Sequence, residues 1–84
     1  MKTSKISEMI SSGLKHAHVE VTDTTGGGDH FSATVVSDDF EGLSLVDQHQ
    51  KVYKTLGTYL TNEIHALQLK TMTKSKWEKK NLEQ

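Results

Sequence analysis

Five histidines, His16, His18, His30, His49 and His65, are the side chains here best suited to hold a metal ion or carry a proton near neutral pH. There is no cysteine, which excludes disulfides and zinc sites built on thiolates. His65 has the most telling setting. Ile64-His65-Ala66-Leu67-Gln68-Leu69-Lys70 reads as a short strand, and alternation puts His65, Leu67 and Leu69 on one face and Ile64, Ala66, Gln68 and Lys70 on the other. A histidine therefore opens a row that is otherwise leucine. Either its ring is a satisfied core group, or it is a ligand held at the mouth of a rigid sheet. His16 and His18, two apart on a strand, share a face as a weak metal pair without a third ligand, and the plain reading is two solvated surface residues. His49 falls in the apolar stripe of a helix, where a packed ring with one nitrogen hydrogen-bonded is the plainer expectation. No serine or carboxylate pair is set against a base with catalytic logic, so the chain reads as a non-enzyme.

The elements that must position these residues follow from periodicity. Thr3 or Ser4 caps a first helix with Ile6, Met9, Ile10 and Leu14 on one face, and Gly13 helps to end it. Ala17 to Thr22 and His30 to Ser37 alternate as two strands, joined as an antiparallel hairpin by Asp23-Thr24-Thr25-Gly26-Gly27-Gly28-Asp29. That stretch is the most flexible one; it either simply connects the strands or delivers His30 or a backbone group to a ligand. It lacks the glycine spacing and the following Lys-Ser/Thr of a phosphate loop. Phe40 anchors a polar turn. Ser44 opens the longest helix with Asp47 in a capping-box-like position, and Leu45, Val46, His49, Val52, Tyr53, Leu56 and Leu60 form a broad apolar face. Gly57 marks a break, the His65 strand follows, and Thr73 caps a charged helix anchored by Trp77. The order is α-β-β-α-β-α, an α+β fold whose last strand runs parallel to a neighbour through a crossover, with helices covering one face of a three-stranded mixed sheet.

With 84 residues there is one domain and no room for a second core. Net charge is −1 and all ten basic residues are lysine, which argues against a dedicated nucleic-acid reader, since arginine is the favoured reader of guanine. Half of those lysines fall between Lys70 and Lys80, as a solvated tail or as a small basic patch. No apolar run approaches the length of a membrane span. The expectation is a soluble, cytoplasmic protein, with a cleaved organellar leader left open.

The segments Val35-Val36-Ser37-Asp38-Asp39-Phe40-Glu41-Gly42, Gln48-His49-Gln50-Lys51-Val52-Tyr53, Ile64-His65-Ala66-Leu67 and Thr73 with Trp77-Glu78 together resemble the BolA family, in order and spacing. The glycine-rich loop is most similar to bacterial and plastid-type members. The resemblance implies a single BolA-like domain over residues 1–84, with a core of about 5–78, a polar tail at 79–84 and a class II KH-like fold. It also implies a non-enzymatic iron–sulfur accessory role. The chain would pair with a monothiol glutaredoxin of the Cys-Gly-Phe-Ser type and share a [2Fe-2S] cluster with it and with glutathione. On this side His65 would be a ligand, His30 the only loop-side imidazole left for a second, and Gly26, Gly27, Gly28 and Asp29 would meet the partner. The isolated chain would carry no cofactor and be monomeric or weakly dimeric. The alternative that the resemblance implies is a DNA- or RNA-binding regulator of stress response and morphology. Here Gln48-His49-Gln50 stands where relatives often have Arg-His-Arg, Thr73-Lys74 where they often have Thr-Pro, and no Gly-x-x-Gly joins helices at Gly57-Thr58-Tyr59-Leu60. Binding through Lys74, Lys76, Lys79 and Lys80 would then be weak and salt-sensitive.

Overall fold

A computed structural model describes residues 1–82. Helix α1 (Thr3–Gly13) is followed by strands β1 (His18–Asp23) and β2 (His30–Val36), helix α2 (Leu45–Leu56), strand β3 (Ala66–Met72) and helix α3 (Lys74–Leu82), with one-turn 3₁₀ helices at Asp38–Phe40 and Gly57–Tyr59. The sheet order is β1-β2-β3. β1 pairs antiparallel with β2, and β2 pairs parallel with β3, with His30 opposite Ala66 and Val36 opposite Met72. This is the α+β architecture that the periodicity predicts. Residues 79–82, expected as tail, continue α3; residues 83–84 lie outside the described residues.

Phe31, Ala33 and Val35 of β2 point to one face, where they pack in one core with Ile6 and Ile10 of α1 and Val52 and Leu56 of α2. Phe40 and Ile64 are fully buried in the same cluster. The other face is treated differently along its length. By strand alternation His18, Val36 and Met72 share that face at one end, where Val36 and Met72 are buried and the Trp77 ring of α3 stacks on His18 at 4.7 Å. The helices α1 and α2 thus cover one face, and α3 closes the end of the other.

Several local expectations change. The residue before α1 is Lys2, whose carbonyl takes the first amides, and neither Thr3 nor Ser4 caps the helix. Strand β1 starts at His18, and His16 has a left-handed backbone (φ 48°), so the two rings do not share a strand face. His16 bonds Asp38 at 2.8 Å instead. In α2 the buried row is Gln48, Val52 and Leu56, spaced four apart, while Leu45 and Val46 are exposed. At 100° per residue, Val46 is turned roughly 160° from Gln48, which carries it to the solvent side. Leu45 lies in the first turn, ahead of the packed row. His49 is half-buried and meets Tyr53 edge-on at 6.3 Å.

Gln48 packs on the sheet because both ends of its amide find a partner. Its Nε2 donates to the Leu43 carbonyl at 3.0 Å, and its Oε1 accepts from Thr71 Oγ1 at 2.7 Å. Ser37, fully buried, donates to the Lys15 carbonyl and accepts from the Asp39 amide. Among the described residues no buried side-chain polar atom lacks a partner.

Gly13 is a packing residue as well as a helix end. A Cβ there would lie 2.5 Å from Thr55 Cγ2, so α1 and α2 approach through the bare backbone. The Thr55 hydroxyl donates to the Val52 carbonyl at 2.6 Å, which locks the rotamer that holds Cγ2 in the way. Gly13→Ala is expected to lower stability by about 1 kcal/mol, overpacking of ~1–3 kcal/mol outweighing ~1 kcal/mol of helix propensity. Adding Thr55→Ser removes Cγ2, keeps the hydroxyl and restores the loss in thermal denaturation.

Candidate functional site

The site is built by the parallel register of β2 and β3. Parallel strands begin at the same end of a sheet, so the segment entering β2 and the segment entering β3 lie side by side. The Asp29 carbonyl accepts from the His65 amide at 2.8 Å and from the Ala66 amide at 3.2 Å. The rings of His30 and His65 consequently sit 5.1 Å apart between centroids, tilted by 57°. His65 is exposed, and the His30 side chain keeps 38% of its surface open. The expected strand over 64–70 begins only at Ala66. Ile64 is buried and His65 is not, so His65 stands at the strand's mouth and not in the leucine row's core.

The loop before His30 is organised by a residue that sequence reasoning passed over. Asp23 accepts from three backbone amides: Oδ1 from Thr25 (3.2 Å) and Gly26 (2.8 Å), Oδ2 from Gly28 (2.9 Å). Gly26 and Gly28 adopt φ of 80° and 75°, which side chains rarely tolerate, and this turns their amides onto the carboxylate. The signal was in the sequence as an aspartate opening a Thr/Gly run, the pattern of an Asx turn. A stretch that composition marks as the most flexible is thus tied to the end of β1.

Asp29 closes the site. Its Oδ1 lies 2.9 Å from His30 Nδ1. This bond, with smaller help from the charges of His30 and His65, holds the Asp29 carboxyl below its ordinary value of 3.8 against some desolvation. A depressed folded value means that the bond's contribution is complete above 3.8 and lost as pH falls through the lower folded value. A carbon-detected NMR titration of the Asp29 carboxyl is expected to give a midpoint below 3.8, and His30→Ala to move it up.

As a donor set, His30 and His65 fit a metal partially. Two imidazoles at this spacing suit nitrogen donation to one ion, with metal–nitrogen bonds of about 2.0–2.1 Å after a small ring adjustment. Among the described residues no three His, Cys, Asp or Glu side chains gather closely enough to hold an ion. The remaining histidines are elsewhere. His18 is at the opposite end of the sheet under Trp77, His16 is on Asp38, and His49 is on α2.

The lysines form a second feature. Lys70 of β3 and Lys76, Lys79 and Lys80 of α3 line a groove of about 560 Å³ floored by Thr71 and Met72. The close approach of the Lys80 ammonium and its like charge hold the Lys70 ammonium below its ordinary value, with desolvation and Lys76 adding smaller pushes. Lys74 does not line the groove; Lys70, which alternation put on the face opposite His65, Leu67 and Leu69, does.

The sequence and fold both match known proteins. The family model described as BolA-like protein matches residues 4–76. An uncharacterised protein of Haemophilus influenzae is 40% identical over 80 residues, covering 94% of this chain and 91% of that protein. The DNA-binding transcriptional regulator BolA of Escherichia coli K12 is 32% identical over 81 residues, covering 88% of this chain and 77% of that protein. The solved structure of a BolA protein homologue from Coxiella burnetii superposes with a TM-score of 0.79 at 37% identity, covering 93% of this chain and 97% of that one. With the family model spanning most of the residues and the same α+β fold around the same sheet, this chain belongs to the BolA-like family.

Proposed function

We propose that this protein is a non-enzymatic iron–sulfur accessory protein that completes a [2Fe-2S] cluster begun by a monothiol glutaredoxin and glutathione. The observation that carries the reading is the pairing of His30 and His65 at the open mouth of the sheet, 5.1 Å between ring centroids. Two nitrogen donors fall short of a resident iron site and suit a shared one. The glutaredoxin cysteine and glutathione would supply thiolates, and His65 and His30 the nitrogens. Imidazole in place of thiolate removes negative charge from the iron and raises the potential of the bound cluster. The loop from Gly26 to Asp29 flanks the pair and would meet the partner. Because Asp23 holds it from within, docking costs less ordering entropy than an open glycine arc would. The test is reconstitution. The purified pair is mixed with iron, sulfide and glutathione and followed by visible circular dichroism. A spectrum distinct from that of the glutaredoxin alone is expected; an unchanged spectrum with no co-elution of the two chains sinks the reading.

One observation favours a second reading, a nucleic-acid-binding regulator. The lysine groove joins β3 and α3, and the E. coli relative is named a DNA-binding transcriptional regulator. This reading expects low-salt gel shifts that disappear when Lys70, Lys76, Lys79 and Lys80 become glutamine. Each phosphate that a substitution leaves unneutralised would lower the log–log salt slope on duplex DNA by about 0.9. No shift at low salt across DNA and RNA probes removes it.

A further inference from the structure

We propose that Asp29 is the positioning residue of the histidine pair, fixing His30 in the Nδ1–H tautomer so that Nε2 is left as the lone pair free to bind a metal. An ionised carboxylate only accepts hydrogen bonds. The 2.9 Å contact between Asp29 Oδ1 and His30 Nδ1 therefore requires the hydrogen to sit on Nδ1. A neutral imidazole free in water prefers the other tautomer, which carries its hydrogen on Nε2. Carboxylate–histidine contacts of this kind orient metal-binding rings and raise their basicity. Asp29 also acts through its backbone. Its carbonyl takes both the His65 amide and the Ala66 amide, so one residue sets the ring of the first histidine and the chain position of the second. Gly27 leaves the carboxylate room, since a Cβ there would lie 3.2 Å from Asp29 Oδ1.

The tautomer assignment stands on the isolated chain; its consequence for a cluster rests on the proposed role of His30 as a ligand. Long-range proton–nitrogen correlation spectra of the ¹⁵N-labelled full chain at pH 8.5, where an ordinary histidine is neutral, read the tautomer directly. The expected spectrum shows His30 protonated at Nδ1 and bare at Nε2. Asp29→Ala, which keeps the backbone carbonyl, is expected to move His30 to mainly Nε2–H. Asp29→Asn, whose amide oxygen still accepts, is expected to retain Nδ1–H. An Nε2–H pattern in the wild type, or no change in Asp29→Ala, overturns the proposal. In the reconstituted pair, Asp29→Ala is expected to shorten the cluster lifetime by about 10-fold, and Asp29→Asn by less. If the tautomer shifts but the lifetime does not, Asp29 positions nothing that matters to the metal. His30→Ala then decides whether His30 is a ligand: an equally unchanged lifetime removes it from the donor set.

Discussion

Replacing His65 with alanine is expected to shorten the lifetime of the cluster shared with a monothiol glutaredoxin by roughly 100-fold or more. Removing an outer-shell partner already costs 10–100-fold in metal affinity, and a direct ligand should cost more. The fold should not notice. His65 is exposed, and what ties it to the sheet is its backbone amide on the Asp29 carbonyl, which alanine keeps. A surface change of this kind stays within about 0.5 kcal/mol of wild-type stability. Visible circular dichroism of the reconstituted pair, beside thermal denaturation of the isolated chain, separates the two effects. His65→Cys sharpens the test. It restores a ligand but returns negative charge to the iron, so the cluster should survive with a lower potential. His30→Ala is expected to fall between wild type and His65→Ala. If His65→Ala gives the wild-type spectrum and lability, the ligand assignment is wrong, and the pairing of rings at the sheet mouth has another purpose.

Gln48→Ala is expected to destabilise the isolated chain by about 2–4 kcal/mol, the sum of a lost buried side chain and of polar partners left without their bonds. Thr71 is 6% exposed and donates its hydroxyl to Gln48 Oε1, so truncation strands that donor under α2. The Leu43 carbonyl loses its donor as well, although Leu43 is half-buried and water can reach it. For a domain of this size such a loss lowers the melting temperature by roughly 10–25 °C. The pair Gln48→Leu with Thr71→Val removes both polar partners together and should recover most of the loss, because the cost lies in the unpaired group and not in the missing bond. Equal stability for Gln48→Ala and wild type would mean that the helix–sheet contact is not carried by this bond.

This residue also shows where sequence reasoning misled. Gln48-His49-Gln50 reads as a change of surface charge in the long helix, yet Gln48 is 8% exposed and belongs to the packing of α2 on β3. Periodicity registers apolar residues only, so it rotates the helix towards Leu45 and Val46, which are 62% and 69% exposed. A long polar side chain that spends its amide on a carbonyl and a hydroxyl behaves as a core residue, and nothing in its type announces that. Gly13 hides in the same way. Its role is a distance to Thr55, a residue remote in sequence.

What the amino-acid order determined by itself was the inventory and the punctuation. Alternation from His30 to Val36, the Ser44 cap, the glycine at 57 and the Thr73 cap are local, each set by a residue and its near neighbours, and they yield the element order and the fold class. The absence of cysteine likewise excludes thiolate donors from this chain and leaves five imidazoles as its main metal-binding groups. Only the tertiary structure decided which histidines meet. An antiparallel β3 would have put His65 at the Val36 end of β2, away from His30; the parallel register puts it beside His30 and Asp29. That β3 runs parallel to a neighbour follows from the helix that precedes it, but which strand is that neighbour, and in what register, depends on which faces the helices bury. Those are sums over many weak long-range contacts, and no single residue along the chain encodes them.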